Sequence, residues 1–246
     1  MVVEEKVDGA NCAVSFSSEG ELLLQSRGHY LTGGGREKHF NLFKQWANIH
    51  ATSFYEVLAD RYIMYGEWLY AKHTVFYTAL PHYFMEFDIF DTATGEFLST
   101  ERRHDMLREL PVMSVAVLGS GCYKQYDELI ELIQQSGFID DGHIGTLGDY
   151  CRETDLDVDR AFRETDMSHL MEGLYIKHEE EGCVVGRYKY VRASFLTAVV
   201  NAEGSDMRNS SDHCHRERRT ASRLEQNHSI WPLYPAVRGP FLCTRL

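Results

Sequence analysis

Glu5-Lys6-Val7-Asp8-Gly9-Ala10-Asn11 lies near the start of a 246-residue chain, and its reading decides the rest. Val2, Val3 and Val7 surround the lysine with apolar, β-branched residues, which predict a strand. An ammonium beside such neighbours is disfavoured, so the pKa of Lys6 is expected to fall toward a nucleophilic amine. Asp8, two residues on, shares the face of Lys6 if the strand continues, where it orients the amine or holds a metal. Gly9 closes the turn and lets a backbone approach a phosphate. The same string also reads as an ordinary strand end, since Lys-x-Asp-Gly alone is weakly specific.

Further along come Ser26-Arg27-Gly28, Tyr65-Gly66-Glu67, Phe84-Met85-Glu86-Phe87-Asp88-Ile89, Glu172-Gly173-Leu174-Tyr175-Ile176-Lys177 and Arg187-Tyr188-Lys189-Tyr190-Val191-Arg192. In this order the stretches resemble the motifs of the covalent nucleotidyltransferases: ATP-dependent RNA and DNA ligases and mRNA capping enzymes. The Glu-Lys-x-x-Gly-x-Asn form of the first motif looks most like the RNA ligases that seal nicks in duplex RNA. The resemblance spans about residues 2 to 197. It implies an α+β nucleotidyltransferase fold, with antiparallel sheets, flanking helices and a nucleotide between the sheets. It also implies ATP and Mg2+ as cofactors and nucleic-acid ends as partners, with RNA favoured over DNA. Lys6 is then the catalytic nucleophile, and Glu5, Asp8, Gly9 and Asn11 belong to the nucleotide site.

Composition sets the bounds. Apolar residues make up 43% and charged residues 25%, as in ordinary globular proteins. No apolar run approaches a membrane span, and Met1-Val2-Val3-Glu4-Glu5-Lys6 has no basic region before an apolar one. Cysteines 12, 122, 151, 183, 214 and 243 show no paired metal spacing and read as reduced cytosolic thiols, so a cytoplasmic protein is expected. The net charge of −12 argues against a simple nucleic-acid binder, since such proteins carry a basic face. Residues 205–246 carry +3, leaving −15 for residues 1–204. A polynucleotide would bind a local basic groove, with salt-sensitive affinity.

Residues 12–16 and 21–27 read as strands joined by a hairpin turn at Ser17-Ser18-Glu19-Gly20. The second strand delivers Arg27, which by resemblance contacts phosphate through its planar donor fork. Residues 31–37 are glycine-rich but lack the ending of a phosphate-binding P-loop, so a surface connection is predicted. Over 38–50, Phe40, Phe43, Trp46 and Ala47 make one helical apolar face, read as core. Residues 61–100 are strand-rich. Glu67 is a lone carboxylate among β-type aromatics, and by resemblance it accepts hydrogen bonds from a ribose hydroxyl. In the strand from His82 to Asp91, the resemblance sets Phe87 against adenine and Asp88 in the site. On a flat strand those two point opposite ways, so a bulge or a supporting role for Asp88 is required.

Met113–Leu118 reads as a buried strand and Asp127–Gln135 as a helix stopped by Gly137. Asp140-Asp141-Gly142-His143 reads as a turn, and Arg152 to Asp166 as a solvated helical segment. Glu172–Lys177 and Cys183–Arg192 form a hairpin turning at Glu179-Glu180-Glu181-Gly182. Arg187 and Lys189 share a strand face, which suits either a solvated edge strand or a clamp on the α-phosphate of ATP. The family pattern has lysine at both places, so Arg187 keeps the charge and changes its geometry. By resemblance Glu172 is a metal or lysine partner and Tyr175 covers the second face of adenine. Lys177 receives no role.

Few residues precede Lys6 for such a family, so a truncated start is expected. Residues 1–204 are expected to form an adenylation domain and 205–246 an atypical tail, disordered or translated out of frame. Within it, Asp212-His213-Cys214-His215 is too compact for a closed metal site. The reading is an RNA ligase that forms lysyl-AMP and joins 5′-phosphate to 3′-hydroxyl ends. Its alternatives are a DNA ligase, a guanylyltransferase or an inactive nucleotide-binding remnant.

Overall fold

The computed structural model describes residues 1–206 and 231–232. Its strands are β1 (Val2–Lys6), β2 (Ala10–Phe16), β3 (Leu22–Ser26), β4 (His29–Tyr30), β5 (Tyr62–Trp68), β6 (Phe84–Asp91), β7 (Glu96–Leu98), β8 (Met113–Ser114), β9 (Val117–Ser120), β10 (Gly173–Glu180), β11 (Cys183–Val191) and β12 (Trp231–Pro232). They join in the order β4-β3-β2-β5-β6-β7-β11-β10-β1-β9, with β12 beside β11 and β8 beside β6. Every pairing is antiparallel except β6 with β8. The class is α+β, as expected, but the separate sheets are one continuous sheet with two halves.

Two crossings join the halves. Val7-Asp8-Gly9 carries the chain from β1, between β10 and β9, to β2, between β3 and β5. The short β7 bridges β6 to β11. Lys6, the last residue of β1, therefore sits at the seam.

Each half buries its outer face under helices. Beneath the first lie α1 (Asn41–Ile49), α2 (Ala51–Leu58) and α3 (Thr100–Leu107). Phe43, Ala47, Phe54, Leu58 and Leu107 pack there against Cys12, Val14, Met64, Trp68, Phe84 and Ile89. Fully burying such side chains contributes about 1.5–3 kcal/mol for each large one, which makes this cluster the main anchor of the fold. The aromatic face of 38–50 is core, as predicted, although a 3-10 turn over Gly35–Phe40 precedes the helix. Helix α2 was not expected; His50 separates it from α1.

Across β1, β10 and β11 the alternation is clean. Val3, Leu174, Ile176, Tyr188 and Tyr190 face a second cluster with Leu129, Leu132 and Ile133. The other face carries Glu4, Lys6, Tyr175, Lys177, Arg187 and Lys189, paired in register.

Helices α4 (Tyr126–Ile130), α5 (His143–Glu153), α6 (Val158–Arg163) and α7 (Ala193–Asp206) complete the described residues. The helix expected over 127–135 is only α4. The strand expected over 113–118 breaks into β8 and β9, and its ends are open: Met113 is 46% and Val117 43% exposed. No helix among the described residues is long and apolar enough to cross a membrane. Apart from the end of α7 and residues 231–232, the tail 205–246, with its Asp212-His213-Cys214-His215 cluster, lies outside the described residues.

Candidate active site

A cavity of about 550 Å³ opens between the halves of the sheet. Lys6, Asn11, Arg27, Glu67, Phe87, Tyr175, Arg187 and Lys189 line it, with Glu5 at its wall. Three of the predicted residues do not line it. Glu172 stands behind Lys6, and Asp8 and Gly9 turn away.

Lys6 Nζ donates to Glu172 Oε2 at 2.7 Å. Burial disfavours the ammonium, but Glu172, Glu67 and Asp8 outweigh it and hold the pKa of Lys6 above the ordinary lysine value. The expected depression is therefore overturned: three carboxylates, not the apolar flank, set the charge. Of the two roles offered for Glu172, the structure has it pairing with the lysine.

Asp8 also differs from expectation. β1 ends at Lys6, so strand alternation no longer relates the two side chains. Asp8 Oδ2 accepts from the backbone N–H groups of Thr74 and Val75 at 2.7 and 2.9 Å. Its own N–H donates to Tyr77 Oη at 2.8 Å. It thus fastens the segment after β5 to the lysine loop. Gly9 makes its close approach to protein rather than phosphate: a Cβ there would lie 2.7 Å from both Trp68 O and Leu69 Cδ2.

Glu5 is 2% exposed and accepts from Ser136 Oγ at 2.6 Å. Asn11 pairs in register with Glu67 across β2 and β5. Glu67 Oε1 accepts from Gly9 N at 3.2 Å. Burial pushes Glu67 up to about 7; Lys6 pulls it down, while Glu172 and Asp8 push it further up. Near neutrality Glu67 is thus part-protonated, rather than the fully ionised acceptor expected.

The conflict between Phe87 and Asp88 resolves through a bulge. Tyr65 pairs with Asp88 and Gly66 with Glu86, which leaves Phe87 as the extra residue. Phe84 and Ile89, of opposite parity, consequently face the same core. Gly66 is needed opposite the bulge, since a Cβ would lie 2.5 Å from the Phe84 ring. Phe87 and Asp88 both line the cavity. Phe87 and Tyr175 stand 5.7 Å apart at 81°, so they form no parallel slot for a base. Tyr175 Oη donates to Asp88 Oδ2 at 2.5 Å instead.

Sequence reasoning missed the buried ionic cluster beneath the cavity. Arg103 of α3 pairs with Glu4 at 2.5 Å and Glu86 at 2.6 Å. Lys177 pairs with Glu4 at 2.8 Å and Asp88 at 3.2 Å, and Asp88 pairs with Arg187 at 3.2 Å. Burial raises the Glu4 carboxyl despite Lys177 and Arg103. At Asp88, burial opposes ionisation but Lys177, Arg103 and Arg187 prevail and lower the pKa. Lys177 thus has a role: it holds Asp88, and through it Tyr175 and Arg187. The spacing of Tyr175 and Lys177 on one strand face was the available signal. Arg103, one of two adjacent arginines in a polar helix, offered none.

Arg27 lies exposed at the rim, just before Gly28, whose φ of +84° turns the chain. The Lys189 pKa is lowered, first by burial and then by repulsion from Lys6. An anion placed among Lys6, Arg187 and Lys189 relieves that repulsion. Among the described residues, no group of three or more His, Cys, Asp or Glu side chains is arranged to hold a metal alone. The oxygen donors present suit a hard cation that keeps waters and binds substrate phosphate.

The carboxyls of Glu4, Glu5, Glu67 and Glu172 are all raised, chiefly by burial. Such groups bind protons more tightly folded than unfolded. Their stabilising contribution is full below the unfolded value near 4.3 and is lost as pH rises through the folded value. For Glu67 that window runs to about 7. Glu67→Gln is expected to remove about 1–3 kcal/mol of the stability lost between pH 5 and 8. Denaturant titrations at both pH values check this, and an unchanged pH slope refutes it.

The fold compares with solved RNA ligases. A lysine-to-alanine mutant of the Naegleria gruberi RNA ligase with ATP and manganese matches at a TM-score of 0.52 and 15% identity, covering 81% of this chain and 52% of that one. The Naegleria gruberi RNA ligase with pyrophosphate matches at 0.51 and 15%, covering 80% and 50%. A lysine-to-methionine mutant with AMP and manganese matches at 0.53 and 14%, covering 80% and 50%. The chain thus spans about half the length of these ligases. No curated protein matches it. The RNA ligase family model matches residues 1–191, from the strand that ends in Lys6 to the strand that carries Lys189, and the chain belongs to the RNA ligase family.

Proposed function

We propose that this chain is an ATP-dependent RNA ligase acting through a covalent lysyl-AMP, and that residues 1–204 form its nucleotidyltransferase adenylation domain. One observation carries the reading: Lys6 lies at the seam of a cavity that also presents Arg27, Arg187 and Lys189. An amine hydrogen-bonded to a buried carboxylate, beside further fixed cations, suits attack on a triphosphate. ATP and a divalent cation, bound in the Naegleria structures, are carried over to this site, with Mg2+ as the cation; Glu67, which lines the cavity, would offer it a carboxylate oxygen, while Glu172 pairs with Lys6.

Lys6 must first lose a proton. Glu172 Oε2, 2.7 Å away, accepts it, and burial makes that carboxylate a stronger base than a surface glutamate. When bound, the divalent cation offsets the local negative charge and steadies the triphosphate. The Lys6 amine then bonds to the α-phosphorus, and the bond to the bridging oxygen breaks as pyrophosphate leaves. Arg187 and Lys189 stabilise the charge that builds up on the phosphoryl oxygens. Phe87 offers the base a ring face at the cavity wall. Adenylate next passes to a 5′-phosphate end, and a 3′-hydroxyl displaces AMP to seal the strand. RNA is favoured over DNA because the family is one of RNA ligases. Free thiols at Cys12, Cys122, Cys151 and Cys183 support a cytoplasmic setting.

The test is incubation of the full chain with α-labelled ATP and Mg2+, followed by a nicked RNA duplex. Label that survives denaturation and then seals the nick is the expected result. A folded protein that takes no label overturns the proposal.

A further inference from the structure

We propose that Phe97 is the positioning residue for Arg187, and that this ring is what lets an arginine serve where the family pattern has lysine. The inference rests on the proposed role of Arg187 as a phosphate clamp.

The geometry comes from the second crossing. Phe97 lies on β7, the strand that bridges the halves. It pairs in register with Phe90 of β6 and with Val184 of β11. Arg187 lies three residues beyond Val184 on β11. Its Cζ stands 3.5 Å from the Phe97 ring centroid. Its Nη1 lies 3.2 Å from Asp88 Oδ2, and its side chain is 15% exposed. Phe97 is itself propped by Phe90, at 4.8 Å between centroids, and by Tyr65, at 6.2 Å. Phe97 and Arg187 both line the cavity that holds Lys6.

A guanidinium is planar and weakly hydrated, so it stacks on a ring, whereas an ammonium is a compact, strongly hydrated point charge. Stacking uses the face of the guanidinium; its donors lie in the edge. With Asp88 fixing the azimuth and Phe97 the plane, the cation is set in position before ATP arrives. Preorganised charge acts on the transition state without reorganisation at the moment of reaction. A lysine at 187 has no face to stack and would gain little from Phe97.

The experiment is a double-mutant cycle on the full chain, read as the single-turnover rate of label transfer from α-labelled ATP with Mg2+. Phe97→Leu is expected to lower that rate about tenfold, with the KM for ATP changed less than about threefold. Phe97→Tyr keeps the ring and is expected to restore most of the rate. In an Arg187→Lys background, Phe97→Leu is expected to cost less than about threefold. An equal cost in both backgrounds overturns the inference, because Phe97 then acts on the nucleotide or the fold directly. A Phe97→Leu rate within about twofold of wild type also overturns it. Arg187→Ala with an unchanged rate shows instead that the clamp itself is wrong. If Phe97→Leu fails to fold, Phe97→Met takes its place in the cycle, being apolar and adaptable without a ring.

Discussion

Lys6→Ala is expected to abolish covalent labelling by α-labelled ATP, with no detectable transfer above an uncatalysed background. Alanine offers no nucleophile, and among the described residues Lys6 is the lysine that is ion-paired with Glu172. Lys6→Arg is expected to fail as completely, because a guanidinium is not deprotonated in proteins. The partner predicts a graded loss: Glu172→Gln keeps the shape and removes the proton acceptor, lowering the rate by about 10²–10⁴-fold. Its effect should shrink as pH rises, since Lys6 then loses its proton to water rather than to Glu172. A flat Glu172→Gln deficit from pH 7 to 9.5 would show that the carboxylate does something other than take the proton. Loss of fold does not explain these outcomes. Removing the Lys6 ammonium leaves Glu172 and Glu67 among like charges, but both carboxyls are already raised and protonate further at modest cost. Lys6→Ala should therefore unfold within a few degrees of wild type at pH 6. Label retained by Lys6→Ala would place the nucleophile elsewhere and remove the basis of the proposed function.

How much of this was legible depends on the range of the interaction. The alternation of Val3, Leu174 and Ile176 against Lys6, Tyr175 and Lys189 is local, and it sorts core from cavity before any fold is known. The contradiction between Phe87 and Asp88 was also local, and it announced the bulge that the register contains. The charge state of Lys6 was misread because its apolar neighbours are adjacent in sequence, whereas Glu172, just before β10, and Glu67, on β5, are distant in sequence. Asp8 was misread for a similar reason: the backbone groups it holds, Thr74 and Val75, lie 66 and 67 residues away. Phe97 went unnoticed because one aromatic in a three-residue strand carries no period. Only the pairing of β7 with β11 brings it near Arg187.

Arg103→Met tests the buried cluster, where the largest loss of stability is expected. Arg103, Glu4 and Glu86 are all 0% exposed, so no water replaces a missing charge. The cluster is balanced: Glu4, Glu86 and Asp88 face Arg103, Lys177 and Arg187. Removing one cation leaves an uncompensated buried carboxylate, a change that costs about 3–5 kcal/mol. The sign of the pH dependence separates this from simple loss of packing. Burial already raises Glu4, and without Arg103 it rises further, so the folded variant binds protons that the unfolded chain releases near pH 4–5. Its deficit against wild type should accordingly be largest at pH 8 and shrink toward pH 5. Methionine keeps most of the side-chain volume, so a cavity alone predicts a small deficit that does not vary with pH. Ser114 Oγ, which donates to Glu86 Oε2 at 2.7 Å, remains to hold Glu86 in either case. Denaturant unfolding of both proteins at pH 5 and pH 8 decides between the two. A pH-independent deficit would mean that Arg103 acts as a filler of volume. A deficit that closes in acid would mean that the cluster holds β1, and with it Lys6, by charge.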